Sequence, residues 1–405
     1  MSIGHRFRWA LAGNVLYAVS QWLILVVVSR LGDLSMLGRY GLGLALCAPV
    51  FLLTSMGLRN AIATDTRHEF AMVDYLRARS LGAVIAVVAL LAIVAARRDS
   101  AEAIVVIGLV GASKLIEAFS DLTYGAFQRA TRHDLFARSL IARAVIGLAG
   151  FAIALHATGS IAAALVALCA AWMLVLLVHD QPSMSGLPGP APGSDHAGWR
   201  RLVVSVAPLG VVTALVSLSI NIPRYAVDHY LGEEALGVFT AVSYSLVVVS
   251  LVIVTAAQAT LTPLSAHWAR QERAAFRRLL VRLCAGCAAV GAVGVVGALL
   301  GGRAVLVAVF GEPFGVHDQL LLQTMVAAAI SAVAGGLSVG AMATRRFSRL
   351  LVPHVVVALA TLSTSFALVA RWGLAGAGWA LIAAMGLSLV PPIVVLVRAG
   401  WEDEP

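Results

Sequence analysis

Apolar runs long enough to cross a bilayer return along this chain from one end to the other. They fall near residues 9–29, 40–58, 78–96, 103–124, 139–157 and 160–179, and again near 202–222, 235–257, 279–300, 319–343, 351–370 and 373–397. A hydrocarbon core of about 30 Å needs about 20 helical residues to span it. Lipid offers the backbone no hydrogen-bond partners, so such runs must be helices that satisfy themselves. The pattern therefore predicts an all-α polytopic membrane protein with about 12 transmembrane helices. A 60% hydrophobic composition, 12% charged residues and a mean hydropathy of +0.92 lie well outside the soluble globular range. The eighth run is the least well bounded, because apolar sequence continues to residue 266 and Pro263 is the residue expected to end or kink it.

Basic residues should collect on alternate, cytoplasmic connections, and they do. The N-terminus and the connections after even-numbered spans hold 20 of the 29 Lys and Arg residues, among them Arg59, Arg67, Arg77, Arg79, Arg129, Arg132, Arg200, Arg201, Arg277, Arg278, Arg345 and Arg346. The opposite side holds seven (Arg30, Arg39, Arg97, Arg98, Arg224, Arg303 and Arg371), and Lys114 and Arg143 fall inside spans. Both termini are thus expected in the cytoplasm. The net charge of +9 follows from this asymmetry; it points to orientation and contact with anionic membrane lipids, with no nucleic-acid partner. His5, Arg6 and Arg8 precede a first run too long for a cleaved signal, which Arg30 closes, so an uncleaved first span is expected.

Several chemistries are excluded or disfavoured. No connection exceeds about 25 residues, too short for a soluble catalytic or nucleotide-binding domain. The only lysine is Lys114 and it follows a serine, so no phosphate-binding Walker loop exists. All four cysteines, Cys47, Cys169, Cys284 and Cys287, lie in predicted helices; the LCAGC pair lacks a second pair or nearby histidines and reads as packing. No metal, cofactor or enzyme activity is expected, and transport must draw on a gradient, downhill flow or another protein.

The chain also repeats itself. LGDLSMLGRYG, residues 31–41, follows the first span, and LGEEALGVF, residues 231–239, follows the seventh. Arg-rich connectors, TRHEFAMVDYLRARS and HWARQERAAFRRLLVRL, follow spans 2 and 8; GAFQRATR and GAMATRR follow spans 4 and 10; the Gly turns ATGSIAAA and RWGLAGAG precede spans 6 and 12. Matches in the same order at a constant offset mark an internal duplication. Six spans per half start both halves on the cytoplasmic side, so the expected architecture is two six-helix lobes related by a pseudo-two-fold axis along the membrane normal. The boundaries are residues 1–180 for the first lobe, a Pro/Gly/Ser linker over 181–199, residues 200–398 for the second lobe and a cytoplasmic tail over 399–405. Gly spacings such as Gly336 to Gly340 and Gly297 to Gly301 suit close helix packing.

Charges inside spans are costly enough to mark places where something is bound or moved. Span 4 is the richest. At 100° per residue, Lys114, Glu117, Asp121 and Gln128 fall within about 60° of one another, with Tyr124 slightly further round, forming a stripe from midmembrane to the cytoplasmic surface. The competing reading is an intrahelical pair of Lys114 with Glu117, helped by Arg143 of span 5, that fixes packing; Asp121 and Arg143 are also near enough to the interface to snorkel. Asn14 and Gln21 share one face of span 1, and Asn221, Gln258 and Gln323 are the corresponding polar candidates in the second half, although a lone amide more often bonds a neighbouring helix than a ligand. Arg224 and Asp228, one turn apart just outside span 7, offer either a headgroup site or a surface ion pair of little worth.

The opening, with Asn14, SRLGD, LGRYGLGLAL and then SMGLRN, resembles that of the oligosaccharide flippases, the Wzx-like branch of the multidrug/oligosaccharidyl-lipid/polysaccharide exporter superfamily. KLIEAFSDLTYGAFQRATRHDLFARS, residues 114–139, is similar to a pattern of bacterial polysaccharide biosynthesis membrane proteins of that branch. The resemblance implies a two-lobed transporter in the bacterial plasma membrane that moves an undecaprenyl-diphosphate-linked oligosaccharide from the inner to the outer leaflet by alternating access, for surface polysaccharide or lipopolysaccharide assembly. It also implies a polysaccharide polymerase or other assembly proteins as further partners. Lys114 and Arg143 suit a diphosphate. Two departures stand out: the chain is short for the family, and span 1 has no acidic residue between Trp9 and Ser29, where many cation-coupled drug exporters of the superfamily carry one. A cation-coupled drug antiporter of the same fold is the first alternative. A membrane-embedded glycosyltransferase or polymerase is the second, and the lack of a sizeable external loop weighs against it.

Overall fold

The computed structural model describes residues 3–65, 68–97, 99–187, 198–246, 260–344 and 351–402. Its elements are helical throughout among these residues, and they cluster into two compact units, Met1–Ala214 and Leu215–Pro405.

In the first unit the helices are α1 (Ile3–Leu31), α2 (Leu34–Ser55), the short α3 (Leu58–Thr64), α4 (Met72–Arg97), α5 (Ala101–Arg129), α6 (His133–Thr158) and α7 (Ile161–Val175). A π-helical turn over Leu176–Asp180 continues α7 into α8 (Gln181–Met184). The helix therefore runs past residue 180, where the linker was expected to begin, and Pro182 sits directly after the π-helical turn, where the regular α-helical hydrogen-bond ladder is already interrupted. The remaining Pro/Gly-rich stretch, 188–197, lies outside the described residues.

Local chemistry sets the boundaries. Asp33 caps α2 by accepting from the Met36 N–H at 2.7 Å, Ser100 caps α5 through Ala103 N–H at 3.2 Å, and Ser160 caps α7 through Ala163 N–H at 3.4 Å. Met56 and Gly57, both left-handed, break α2 from α3, and left-handed Gly159 ends α6. Within the unit α1 packs on α6 and α6 on α7, while α5 is flanked by α2, α3, α4 and α7. The helix of the charged stripe is thus the central one, with half of its most apolar window buried.

The last long helix to begin in the first unit, α9 (Trp199–Ser243), is divided at Gly232, where φ 80° and ψ −174° leave the helix. Residues 260–269 form α10, which continues through Pro263. Then come α11 (Arg273–Phe310), α12 (Asp318–Ala343), α13 (Leu351–Leu387) and α14 (Val390–Glu402). Helix α13 is divided at Gly373, with φ 56° and ψ −134°. In this unit α12 is the central helix, packed by α11, α13 and α14.

Among the described residues, 10 continuous helical stretches are long and apolar enough to cross a membrane. Two of those stretches are broken at a glycine: Leu351–Arg398 holds the eleventh and twelfth runs of the sequence, and Trp199–Ser243 holds the seventh and the start of the eighth, the rest of which lies largely outside the described residues. Both breaks fall on motifs of the repeat: Gly232 answers the Gly32–Asp33 turn, and Gly373 answers Gly159.

Large apolar side chains such as Leu300, 86% exposed, cover the outside of the helices. In water that would be untenable; against lipid it is the expected state. The glycine spacings divide in two. A Cβ on Gly340 would lie 2.8 Å from Leu280 and one on Gly336 would lie 3.2 Å from Cys284, so that pair does bring α12 close to α11. Gly297 and Gly301 face open space instead, and Gly301 (φ −144°) kinks α11.

Candidate functional site

The stripe on α5 is built as a ladder of alternating charges held by three neighbouring helices. At its inner end Lys114 Nζ lies 2.7 Å from Glu117 Oε2, and the other carboxylate oxygen accepts from the Tyr17 hydroxyl of α1 at 2.9 Å. The Tyr17 ring leans on Trp172 of α7, with centroids 5.9 Å apart. One turn further along, Asp121 Oδ1 faces Arg59 Nη1 of α3 at 3.5 Å, and Arg59 Nε donates to Gln128 at 3.4 Å. The Arg59 guanidinium lies over the Phe136 ring at 4.7 Å and the Tyr124 ring at 5.5 Å, geometry that a planar cation exploits well.

Behind this ladder sits Arg143 of α6. It is 1% exposed, donates to Ser120 and lies over Tyr124 at 5.9 Å and Trp172 at 5.5 Å. It does not snorkel: burial on this scale holds it as part of the packing under the stripe. It also does not bridge to Glu117, whose hydrogen-bond partners are Lys114 and Tyr17. Gly147, one turn beyond Arg143, lets the indole in, because a Cβ there would lie 2.6 Å from Trp172 Nε1. Tyr124 is fixed by its hydroxyl, 2.8 Å from Ser139.

Three cations, Lys114, Arg59 and Arg143, therefore face two carboxylates, Glu117 and Asp121. The surplus is positive. The side chains of Lys114 and Glu117 are each 25% exposed, and those of Arg59 and Asp121 are 28% and 33% exposed, so both pairs can be reached while Arg143 cannot. Chemically, the arrangement can offer a cation to an anionic group and return it to a carboxylate when the group leaves.

Residues singled out in the sequence separate accordingly. The structure brings Lys114, Glu117, Asp121 and Arg143 together. Asn14 and Gln21 flank Tyr17 on α1, Asn14 exposed and Gln21 half-buried. Asn221 lies in the second unit, where its amide donates to the Ser217 carbonyl at 2.8 Å and accepts from Arg224 at 2.6 Å. Arg224 is thus inside α9 and not beyond its end. Gln323 of α12 donates to the Ala375 carbonyl at 3.3 Å, an interhelical bond. Gln258 lies outside the described residues.

Sequence reasoning missed Tyr17, Arg59 and Arg79. Tyr17 had a visible signal, lying three and four residues from Asn14 and Gln21 on the same face. Arg59 and Arg79 were counted as loop charges, but Arg59 belongs to α3 and Arg79 is buried in α4, donating to Ser55 at 3.0 Å.

Comparison with known proteins bears on the family and the fold. A family model described as "Polysaccharide biosynthesis protein" matches residues 27–315. The capsular polysaccharide biosynthesis protein CapF of Staphylococcus aureus is 23% identical over 389 residues, covering 95% of this chain and 96% of CapF. Among solved structures, a multidrug resistance MATE family transporter of the MOP superfamily in an inward-facing conformation superposes with a TM-score of 0.71 at 14% identity, covering 98% of this chain and all of the other. A mutant of the Vibrio cholerae MATE transporter VcmN gives 0.70 at 12% identity over 99% of this chain and 96% of its own. These likenesses fix the fold as an all-α polytopic one with about 12 transmembrane helices in two six-helix lobes. The chain is a multi-pass membrane protein with a fold similar to that of the MATE transporters, and it belongs to the polysaccharide biosynthesis protein family.

Proposed function

We propose that this protein flips a lipid-linked oligosaccharide, with an undecaprenyl-diphosphate carrier, from the inner to the outer leaflet of the bacterial plasma membrane for surface polysaccharide assembly. The two halves, residues 1–180 and 200–398, work by alternating access with both termini in the cytoplasm. The observation that carries this reading is the cation-rich ladder on α5, in which Lys114 is held ready by Glu117 and remains partly exposed. A lipid diphosphate is a dianionic headgroup that must cross a region where charge is costly, and a lysine released from an adjacent carboxylate lowers that cost. The capsular role in the name of the CapF relative supports a polysaccharide substrate over a drug.

In this scheme Lys114 and Arg59 meet the phosphates, Glu117 and Asp121 hold those cations between cycles, and Arg143 with Tyr124 and Trp172 keeps the ladder in place. Asn14, Gln21, Asn221 and Gln258 are the further polar groups assigned to the route. The test is to replace Lys114 and Glu117 separately with alanine and follow the lipid-linked sugar arriving in the outer leaflet with a membrane-impermeant probe. Normal flipping by both variants at normal protein levels refutes a route along α5. Protection of cells against cationic drugs in place of sugar delivery would identify the antiporter.

A further inference from the structure

Arg224 is a cation without a carboxylate. It lies on α9 in the second unit, half-buried, with Nη1 donating to Asn221 at 2.6 Å and Nη2 to Ser243 at 3.2 Å; its Nε is buried and has no partner. Both acceptors are neutral, and among the described residues no acid forms an ion pair with it, Asp228 one turn on included. A guanidinium has five N–H donors, and among the described residues two of them are used. Elsewhere in a membrane helix such a charge is paired or lines a path.

Its depth narrows what could complete it. Trp199 and Arg224 are 25 positions apart on a continuous helix, about 37 Å at 1.5 Å per residue, which sets Arg224 beyond a hydrocarbon core of about 30 Å that starts near the other end. Aromatic residues agree: Tyr230 is 46% exposed and stacks edge-on against Phe366, and Trp372, where α13 breaks, is 57% exposed. Exposed Tyr and Trp mark the level of the headgroups. The residues beneath Arg224 are already organised for it, since the Asn221 amide is itself fixed by the Ser217 carbonyl and only the Asn221 oxygen faces the guanidinium.

We propose that Arg224, positioned by Asn221 and Ser243, binds the phosphate of a lipid at the far end of α9 from Trp199. The shared chemistry is a lipid phosphate; it comes either from the diphosphate of the transported lipid or from a phospholipid headgroup. Binding at Arg224 does not rest on the transport reading, and only the choice between the two sources does.

The test uses the full chain in a neutral detergent and counts bound lipid by native mass spectrometry. Farnesyl diphosphate serves as a short lipid diphosphate, phosphatidylglycerol as the phospholipid and diacylglycerol as the phosphate-free control. The wild type is expected to retain one equivalent of a phosphate lipid that Arg224→Gln loses with at least about a tenfold drop in affinity; Arg224→Lys retains it within a few fold. Selective retention of farnesyl diphosphate assigns the site to the transported lipid, and selective retention of phosphatidylglycerol assigns it to the bilayer. Arg224→Gln binding both probes as the wild type does overturns the proposal. If that variant does not fold, the wild type alone decides, because retention of neither anionic lipid above diacylglycerol overturns it equally. Lys114→Ala keeps this equivalent, so a failed flipping assay and a failed binding assay are told apart.

Discussion

Removing Glu117 and Lys114 singly and together separates a strut from a substrate contact. Breaking a fully buried ion pair by deleting one partner costs about 3–5 kcal/mol, and an exposed pair is worth about 0–1 kcal/mol. With both side chains 25% exposed and 2.7 Å apart, Glu117→Ala falls between these limits. Loss of the Tyr17 hydrogen bond adds about 1 kcal/mol, giving about 2–3 kcal/mol in all. Lys114→Ala costs less, because Glu117 keeps Tyr17. The double variant leaves no isolated charge, so its cost is smaller than the sum by a coupling of about 1–3 kcal/mol. Thermal unfolding in detergent reads these values; for a unit of this size about 2–4 °C accompanies each kcal/mol. Flipping should follow a different order. A charge-assisted contact to phosphate is worth about 1.5–3 kcal/mol, so Lys114→Ala and the double variant both lose about ten- to a hundredfold in rate, although the double variant is the more stable relative to its parts. If the double variant recovers transport along with stability, the pair is only a strut and the reasoning fails.

Three further expectations concern the scaffold. A Cβ on Gly291 would lie 2.5 Å from Ala329 Cα, whereas Gly297 faces open space; Gly291→Ala should lower stability by about 1–3 kcal/mol and Gly297→Ala should leave it equal or raise it by up to about 1 kcal/mol, as melting temperatures would show. Gly232 has a backbone that only glycine readily adopts and Gly159 an ordinary left-handed one (φ 63°, ψ 13°), so Gly232→Ala should cost about 1–3 kcal/mol while Gly159→Asn is tolerated. For Arg143, buried with Ser120 and two aromatic rings for company, methionine should be at least as stable as arginine and lysine worse by about 1–3 kcal/mol, because lysine keeps a buried charge and loses the planar stacking; lysine equal to arginine would contradict this.

How much was legible in the sequence depended on range. Periodicity along one helix is local, so the spans and the stripe of Lys114, Glu117 and Asp121 could be read directly. Their partners could not: Tyr17 and Arg59 are about 100 and 60 positions away from Glu117 and Asp121, and nothing in the spacing says which helix lies against α5. Arg79 and Arg224 were misread for a related reason. Basic residues near span ends are usually solvated, and counting them all as loop charges hides the few that packing draws inward. The glycines show the same limit, since Gly336 and Gly297 sit in equivalent spacings but only one has a helix opposite it.

The duplicated scaffold does not carry duplicated chemistry. Spans 4 and 10 hold the same place in the repeat, and α5 and α12 are each the central helix of their unit, with half of the apolar window buried in both. Yet α5 carries Lys114, Glu117 and Asp121 along its length, whereas the only charged residue of α12 is Asp318 in its first turn, and its buried polar groups, Gln323 and Thr324, bond to backbone carbonyls. The packing role of a central helix therefore does not require the charges, since α12 fills it without them. That is the argument against treating the α5 ladder as a packing device: the same fold supplies its own control, one helix built from small and apolar residues and one that bears a cost in charge which packing alone does not explain.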